Sequence, residues 1–324
     1  MTADITIPDW ATHILSDHTD MERSPHPVDA ARVKSFSLEL PDDVYFEYAF
    51  QNAAGEVLAD PENPTPAQNP WFKSASAVVG PEFGFPDLVP DDFKAAGEVK
   101  RLRLESANLH QTRRVIIYTP VGYVGEALPC LYLQDGVAYY RIAGLPAVLE
   151  VLLARGDVRP AHLVFVEPND RTAEYRYNPA YRDFMTEELL PLVEAEVKTI
   201  GERLLMGASL GGLLSATLAL HHPELFSTVV SQSGAFLGSP DELDFYKGKT
   251  SWVLEALNER PKQDLRWYVE TGTLEWLTGI NRAVVEVLEA KGYDYEYQER
   301  NLGHNWMNWR LGLVDALRFA LAKD

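Results

Sequence analysis

The stretch that decides the fold is Leu204-Leu-Met-Gly-Ala-Ser-Leu-Gly-Gly-Leu-Leu214, where an apolar run leads through G-x-S-x-G into a second run of helical character. A strand, a sharp turn and a helix in this order form a nucleophile elbow. Gly207 and Gly211 leave room around a strained turn, so we expect Ser209 to adopt an uncommon backbone conformation and to project its hydroxyl above the sheet. The pattern predicts Ser209 as a nucleophile.

From residue 98 onward, short apolar runs alternate with segments of helix length, which is typical of a mainly parallel sheet covered by helices. Together with the elbow, this order predicts an α/β class chain with the α/β-hydrolase fold. The predicted strands are 101–104, 114–119, 130–133, 162–166, 204–206, 228–230, 265–269 and 293–298, the first two forming an antiparallel pair. The predicted helices are 145–153, 182–200, 212–221, 281–291 and 306–321.

The first 95 residues differ from the rest, since they are rich in Pro, Asp and Asn and show little helical periodicity beyond a turn near 9–15. Residues 44–50 alternate with period two, which predicts a half-buried strand. The proline-rich stretch 60–66 is a predicted loop, and 84–92 is a predicted linker. We therefore predict a small N-terminal β domain with its linker in residues 1–95 and a catalytic domain in residues 96–324.

The elbow needs a base and an acid later in the chain, in the order serine, acid, histidine. His304 lies between the last predicted strand and the last predicted helix, where a loop can reach back to the elbow, so it is the predicted base. The acid belongs on the loop after strand 265–269, and we predict Glu275, which would fix the imidazole tautomer. Glu270 and Asp294 stay open as alternatives.

An oxyanion hole requires two backbone N–H donors near the nucleophile. The first is the amide of Leu210, at the start of the helix that follows the elbow. The second belongs to the loop after strand 130–133, where Val137 is a candidate donor and Gly136 the residue whose backbone freedom permits it. The sequence leaves open which amide of this loop points inward.

The formal charge of the 324-residue chain is −19, from 29 basic and 48 acidic residues. This charge repels phosphate backbones and anionic membrane surfaces, so neither nucleic acid nor a membrane is an expected partner. The single cysteine, Cys130, lies in an apolar run and excludes an internal disulfide. The N-terminus lacks the pattern of a secretion signal, which makes a cytoplasmic location the expectation. The oligomeric state stays open.

The elbow is one of six motifs that follow each other in a fixed order, and together they are more specific than the elbow alone. They are LQDG at 133–136, RxxEY at 171–175, EELLP at 187–191, GASLGG at 207–212, SQSG at 231–234 and GHNWxxWR at 303–310. On these motifs the chain, over residues 98–320, resembles the Putative esterase family that contains enterochelin esterase, the siderophore-releasing hydrolase. Asn305 departs from that family, which usually has an acidic residue after the histidine.

The resemblance implies an immunoglobulin-like N-terminal domain, and it implies substrate-binding residues beside the active site. The RxxE motif lies there in the family, which makes Arg171 and, with it, Glu174, Tyr175 and Asp135 candidate substrate-binding residues. Arg171 also follows strand 162–166 at the carboxyl end of the sheet, where ligands of open α/β sheets bind. Pairing of Arg171 with Glu174 or Asp170 is the alternative to substrate contact.

The leading hypothesis is hydrolysis of a small-molecule carboxylic ester through an acyl-enzyme, with no metal and no organic cofactor. Carbohydrate-ester (acetyl or feruloyl) hydrolysis or acyl transfer on the same triad is the alternative among enzymes. A non-catalytic glycan- or protein-binding module is the alternative from another class, and the presence of Ser209, Glu275 and His304 disfavours it. Since all three lie beyond residue 98, we expect removal of residues 1–90 to spare hydrolysis of small esters.

Overall fold

The structure, a computed structural model, describes residues 1–69, 74–245 and 250–323. The chain divides into two units by the clustering of its residues. The first unit contains Met1–Pro86 together with two later segments, Thr271–Gly279 and Glu299–Leu311. The second contains Asp87–Glu270, Ile280–Gln298 and the segment that begins at Gly312. The domain boundary near residue 95 stays a prediction.

The first unit is built on antiparallel strands. They are β1 (Thr2–Thr6), β2 (Ala11–Ser16), β3 (His26–Pro27), β4 (Ser35–Glu39), β5 (Tyr45–Asn52), β6 (Val57–Leu58) and β7 (Ser76–Val79). Strands β1 and β4 form one sheet, and a second sheet has the order β3-β2-β5-β6, with β7 also paired to β5. A 3-10 helix, Met21–Arg23, follows β2.

Two predictions for this unit are wrong. The segment near 9–15 contains strand β2 instead of a helical turn, because Ile14 and Leu15 pair with β5. Strand β5 is buried on both faces instead of one. Phe46 and its alternate neighbours enter one apolar cluster, while Tyr45 enters another with Leu302. A strand with a core on each side loses the polar face that period-two alternation predicts.

The chain forms one mixed sheet of eight strands, with the order β15-β14-β13-β12-β10-β11-β9-β8, and all of it except the last residues of β14 and β15 belongs to the second unit. The strands are β8 (Glu98–Ser106), β9 (Gln111–Thr119), β10 (Leu128–Leu133), β11 (His162–Val166), β12 (Thr199–Ala208), β13 (Thr228–Gln232), β14 (Arg266–Gly272) and β15 (Asp294–Arg300). Strands β10 to β14 run parallel, whereas β8 and β9 form the predicted antiparallel pair. All eight predicted strands are present; 162–166 has the predicted ends, and one or both ends of the other seven are shifted.

Helices connect these strands. They are α1 (Gly136–Arg141), α2 (Leu145–Arg155), α3 (Arg171–Tyr175), α4 (Pro179–Asp183), α5 (Leu190–Glu196), α6 (Leu210–His221), α7 (Trp252–Glu259), α8 (Thr278–Ala290) and α9 (Trp306–Ala320). The single helix predicted at 182–200 is wrong. A π-helical turn, Phe184–Leu189, separates α4 from α5, and the chain is already in β12 from Thr199.

Cys130 is buried in β10, as its apolar surroundings predict, and burial raises the pKa of its thiol to about 11. The thiol therefore stays protonated at neutral pH and serves as a small core residue. Within the described ranges, none of the helices has both the length and the apolar character needed to cross a lipid bilayer.

Candidate active site

Ser209 lies at the turn between β12 and α6, with φ 56° and ψ −119°. This region of backbone space is strained for any residue with a side chain, as the sequence predicts for a nucleophile elbow. Two backbone hydrogen bonds hold the turn. The Ser209 amide donates to the Gln232 carbonyl at 2.8 Å, and the Ala235 amide donates to the Ser209 carbonyl at 3.0 Å. The strain at Ser209 is thus maintained by the end of the neighbouring strand β13.

The two glycines of the motif lie where the chain passes close to itself, and the space is smaller at Gly207 than at Gly211. A Cβ atom on Gly207 would lie 2.3 Å from the carbonyl carbon of Gly211, which is far inside van der Waals contact. A Cβ atom on Gly211 would lie 3.1 Å from Cβ of Gln134 at the end of β10. Any side chain at position 207 would therefore open the turn that presents Ser209.

In the first unit, the predicted acid and base are hydrogen bonded to each other. Oε2 of Glu275 lies 2.7 Å from Nδ1 of His304, and their side chains are 0% and 11% exposed. The hydroxyl of Thr271 donates to the other oxygen, Oε1, of Glu275. A carboxylate accepts the Nδ1 proton and so fixes the neutral tautomer whose Nε2 can take up a proton. This is the arrangement that a serine hydrolase requires of its acid and base.

The charges around His304 change its basicity. Burial alone would disfavour the imidazolium, but the Glu275 carboxylate, helped by Asp20 and Asp17 of the same unit, raises the pKa of His304 above its ordinary value. Because the protonated ring is stabilised, His304 is a stronger base than an exposed histidine. It can hold the proton that a nucleophile releases.

The two alternative acids have other partners. Both oxygens of the buried Glu270 accept hydrogen bonds within the second unit, Oε1 from Nε2 of Gln232 at 2.6 Å and Oε2 from the Tyr268 hydroxyl at 2.9 Å. Asp294 is largely exposed and pairs with Arg266 at 2.7 Å. The geometry therefore favours Glu275 over both alternatives.

Residues on either side of His304 are held by the N-terminal segment. Oδ2 of the fully buried Asp17 accepts hydrogen bonds from Nδ2 of Asn305 at 2.9 Å and from the Glu47 amide at 2.6 Å. Gly303 packs directly on Asp17, since a Cβ atom on this glycine would lie 2.0 Å from Cγ of Asp17. The Asn305 side chain also accepts the Asn308 amide at 3.1 Å in the first turn of α9.

The contacts of Asp17 with the His304 loop bear on whether the N-terminal residues can be removed. We expected removal of residues 1–90 to spare small-ester hydrolysis. That expectation requires the acid and the base to be held without these residues. That premise does not hold, because Glu275 and His304 belong to the same unit as Met1–Pro86. Truncation at residue 86 would remove Asp17 and with it a buried anchor of the His304 loop.

The predicted oxyanion donors have different surroundings. Leu210 and Gly136 are the first residues of α6 and α1, so neither amide has an acceptor within its own helix. The amide of Val137 donates to Oε2 of Glu167 at 2.8 Å, so it is already engaged, and its role as an oxyanion donor stays a prediction. Gly136 is required for space and not for an unusual φ, since a Cβ atom there would lie 2.5 Å from the Val166 amide nitrogen.

Of the predicted substrate-binding residues, Arg171 and Asp135 form a bidentate pair. Nε and Nη2 of Arg171 each donate to one oxygen of Asp135 at 2.7 Å, and Nη2 also donates to the Ala208 carbonyl at 3.0 Å. Asp135 is 4% exposed, and its amide donates to the Tyr175 hydroxyl at 2.9 Å. Arg171 thus braces the residue that precedes Ser209, and its partner is neither Glu174 nor Asp170.

Glu174 and Tyr175 are placed inside the second unit. Glu174 pairs with the buried Arg113 at 2.5 Å and accepts the Asn169 amide at 3.0 Å. Tyr175 is 0% exposed. Burial and these partners argue against substrate contact by Tyr175, whereas Glu174 and Asp135 keep 6% and 4% exposure, and their contact with substrate stays a prediction.

A comparison with protein-family models matches residues 106–320 to the family described as "Putative esterase". The chain belongs to this esterase family. It is an enzyme that hydrolyses carboxylic esters, and the hypothesis of a non-catalytic binding module is set aside.

The esterase is similar to three proteins that illustrate its relationships. It is 29% identical to the Iron(III) enterobactin esterase of Escherichia coli (strain K12) over 293 residues, which cover 87% of this chain and 72% of the relative. It is 24% identical to an Endo-1,4-beta-xylanase/feruloyl esterase of Xylanibacter ruminicola, over 84% of this chain and 38% of the relative. The solved ferric enterobactin esterase of Salmonella typhimurium superimposes with a TM-score of 0.74 at 21% identity, over 98% and 92% of the two chains.

The structural similarity to the Salmonella enzyme shows the fold, which confirms the predicted α/β-hydrolase class with a small N-terminal β domain.

Several residues that support the site of this esterase were not predicted from the sequence. Thr271 stands one position after Glu270, and its contact with Glu275 has no sequence signal. Asn305 is marked by its departure from the family pattern, which could have pointed to a new hydrogen-bond partner. Asp17 lies 288 residues before Asn305, and nothing in the sequence connects the two.

Arg171→Lys is expected to lower kcat/KM similarly for neutral and anionic esters, because lysine cannot bond both oxygens of Asp135 and the Ala208 carbonyl at once. The buried Asp135 keeps a positively charged neighbour but loses one of its two charge-assisted hydrogen bonds, which costs about 1–3 kcal/mol of folding free energy. Ester hydrolysis and thermal unfolding measure the two effects. Arg155→Lys, at the exposed end of α2, is the control. A rise in KM confined to anionic esters, at unchanged stability, would instead assign Arg171 to substrate binding.

Proposed function

We propose that this esterase works through a serine acyl-enzyme, with Ser209 as nucleophile, His304 as general base and Glu275 as the acid that orients it. The hydrogen bond between Nδ1 of His304 and Glu275 carries the proposal, because it directs the basic ring nitrogen, Nε2, away from the carboxylate. The strained backbone of Ser209 supports it independently, since such strain persists only where the surrounding structure enforces it.

The reaction follows from the roles of these groups. Nε2 of His304 accepts the Ser209 proton while Oγ attacks the ester carbonyl, and the resulting imidazolium is stabilised by Glu275. The oxyanion that develops is stabilised by the amide of Leu210 and the positive end of the α6 dipole, with Gly136 as the second donor. The imidazolium then protonates the departing alcohol, which leaves an acyl-Ser209 ester. Water, activated by the same histidine, releases the acid and restores the enzyme.

For the substrate, we propose an ester of the type that enterobactin esterases cleave. The length of the alignment supports this proposal, because the similarity to the Escherichia coli enzyme spans 87% of this chain and most of that enzyme. The match to the xylanase/feruloyl esterase covers 84% of this chain but only 38% of that relative. Feruloyl-ester hydrolysis or acyl transfer on the same residues is the second candidate, which that relative supports.

A fluorophosphonate probe tests the mechanism. It should label the intact protein once, at Ser209, and the label should block turnover of aryl esters, because the probe reacts only with an activated serine. Peptide mapping by mass spectrometry identifies the site. A panel of enterobactin, feruloyl and acetyl-xylan esters then ranks the two substrate candidates by kcat/KM. Stoichiometric labelling of another serine, with loss of activity, would contradict the assignment.

A further inference from the structure

The second unit contains a cavity of about 600 Å³ into which four arginines converge. They are Arg101, Arg103, Arg114 and Arg141. The cavity lies outside the cluster formed by Arg171 and Asp135, and none of the proposed roles in catalysis accounts for it. Its basic lining is unexpected in a chain of formal charge −19.

The positions of these arginines follow from the sheet. Arg101 and Arg103 are two residues apart in the edge strand β8, so their side chains leave the same face. Arg114, in β9, is the direct cross-strand partner of Arg103. Arg141 is the last residue of α1. Like charges placed directly opposite each other destabilise an antiparallel pair, so the pairing of Arg103 with Arg114 needs a compensating role.

The four arginines are exposed, and the charge of one of them, Arg114, acts on the Glu167 carboxylate in the same lining. Throughout residues 1–69, 74–245 and 250–323, none of them forms a hydrogen bond or an ion pair with a carboxylate. By contrast Arg113, the neighbour of Arg114 in β9, is buried against Glu174. Glu167 also lines the cavity, and its carboxylate accepts the Val137 amide at 2.8 Å.

The rest of the lining is largely apolar. Leu102 and Ile116 are half-buried, Phe165 forms the buried base, and Val137 is 37% exposed. A cavity with guanidinium groups around an apolar wall suits a ligand that carries anionic oxygens on an apolar body, since guanidinium bonds two oxygens of one anionic centre at once.

The cavity lies at the same edge of the sheet as Ser209. Val137 and Glu167 follow β10 and β11, Ser209 follows β12, and β10 is hydrogen bonded to both of its parallel neighbours. The carboxyl ends of parallel strands meet at one edge, which is where ligands of open α/β sheets bind. A ligand that extends along this edge can therefore reach from the nucleophile toward the arginines.

We propose that this cavity binds an anionic group, with a phosphate preferred to a carboxylate, that the ester substrate carries away from its scissile bond. The inference rests on the proposed function of Ser209. It assigns the specificity of the esterase for charged esters to Arg103 and Arg114 in the sheet, with Arg101 and Arg141 beside them.

The test compares 4-nitrophenyl esters of linear acids that end in a methyl, a carboxylate or a phosphate group. The unaltered enzyme should prefer the phosphate-ended ester, and this preference should weaken as salt rises from 50 to 500 mM. In Arg103→Gln/Arg114→Gln, the ratio of kcat/KM between the phosphate-ended and methyl-ended esters should fall about tenfold or more, as expected for the loss of two charged hydrogen bonds. Arg155→Gln removes the same type of charge from the exposed end of α2 and should keep the ratio.

Thermal unfolding gives a readout that does not depend on turnover. The double variant should unfold at the same or a higher temperature than the unaltered enzyme, because it relieves the repulsion between Arg103 and Arg114. A lower unfolding temperature would show that these arginines stabilise the sheet and would overturn the proposal. So would an unchanged preference for the phosphate-ended ester, or an equal loss in Arg155→Gln.

Turnover of the methyl-ended ester by Ser209→Ala distinguishes failure of the proposed function from failure of the anion site. If Ser209→Ala retains turnover of the methyl-ended ester, the nucleophile is wrong whatever the arginine variants do. If that turnover is lost in Ser209→Ala while the arginine variants keep their preference for charge, the nucleophile stands and the anion site is excluded.

Discussion

Ser209→Ala is expected to lower kcat for aryl esters by about a millionfold, as removal of a triad nucleophile does in other serine hydrolases. The variant loses the oxygen that attacks the carbonyl, so no acyl-enzyme can form. It keeps Cβ, and therefore the strained backbone at φ 56° costs the same before and after the change. The loss should appear in kcat with little change in unfolding temperature. Single-turnover measurements with 4-nitrophenyl acetate should show no burst of nitrophenol.

Ser215→Ala provides a matched control in the same helix. Ser215 is fully buried in α6, and its hydroxyl has no hydrogen-bond partner within the described parts of the chain. Its removal should change kcat by less than about twofold, since no interaction is lost that outweighs the small change in packing. If Ser209→Ala keeps more than a small percentage of activity in a folded protein, another residue is the nucleophile.

Glu275→Gln is expected to slow catalysis by up to about ten-thousandfold while changing KM little. The carboxylate accepts the Nδ1 proton of His304 at 2.7 Å and stabilises the imidazolium, whereas an amide can present its NH₂ group to Nδ1 and so select the wrong tautomer. Thr271 would also lose its charged acceptor. The measurement is kcat for neutral aryl esters over a range of pH.

The pH dependence of kcat/KM should also shift in a defined direction in Glu275→Gln. In the unaltered enzyme the pKa of His304 is raised, so kcat/KM should fall on the acid side at a pH above the ordinary histidine value. Removal of the Glu275 charge lowers the pKa of His304, since this carboxylate is the main group that favours the imidazolium. The acid limb should therefore move to lower pH while the maximal rate falls. A limb that stays in place would show that Glu275 does not act on the titrating base.

Glu270→Gln is the companion variant. Its carboxylate accepts hydrogen bonds from Gln232 and Tyr268, and an amide has only one oxygen to offer these two donors. We expect a loss of about 1–3 kcal/mol of folding free energy from the unsatisfied donor, with a smaller effect on kcat than in Glu275→Gln. The reverse order of the two effects on kcat would transfer the role of the acid to Glu270.

The sequence by itself determined the eight-stranded sheet, the elbow and the positions of its predicted partners. These features depend on local patterns. Apolar runs bounded by turns specify strands wherever the sheet is buried, and G-x-S-x-G specifies a turn because Gly207 has no room for a side chain. His304 could be chosen from chain order, since it lies on the loop that follows a predicted strand. Chain order favoured Glu275 but left Glu270 and Asp294 open, and the hydrogen bond to His304 favours Glu275 over both.

Only the tertiary structure decided which groups share a hydrogen bond. Asp17 and Asn305 are brought together across 288 positions, the Val137 amide is taken by Glu167, and Arg171 pairs with Asp135 instead of its near neighbours. A polar side chain can bond many partners of similar chemistry, and its choice follows from the register and packing of distant strands. Burial of β5 on both faces has the same origin, because a second core can be seen only when segments remote in the chain have been assembled.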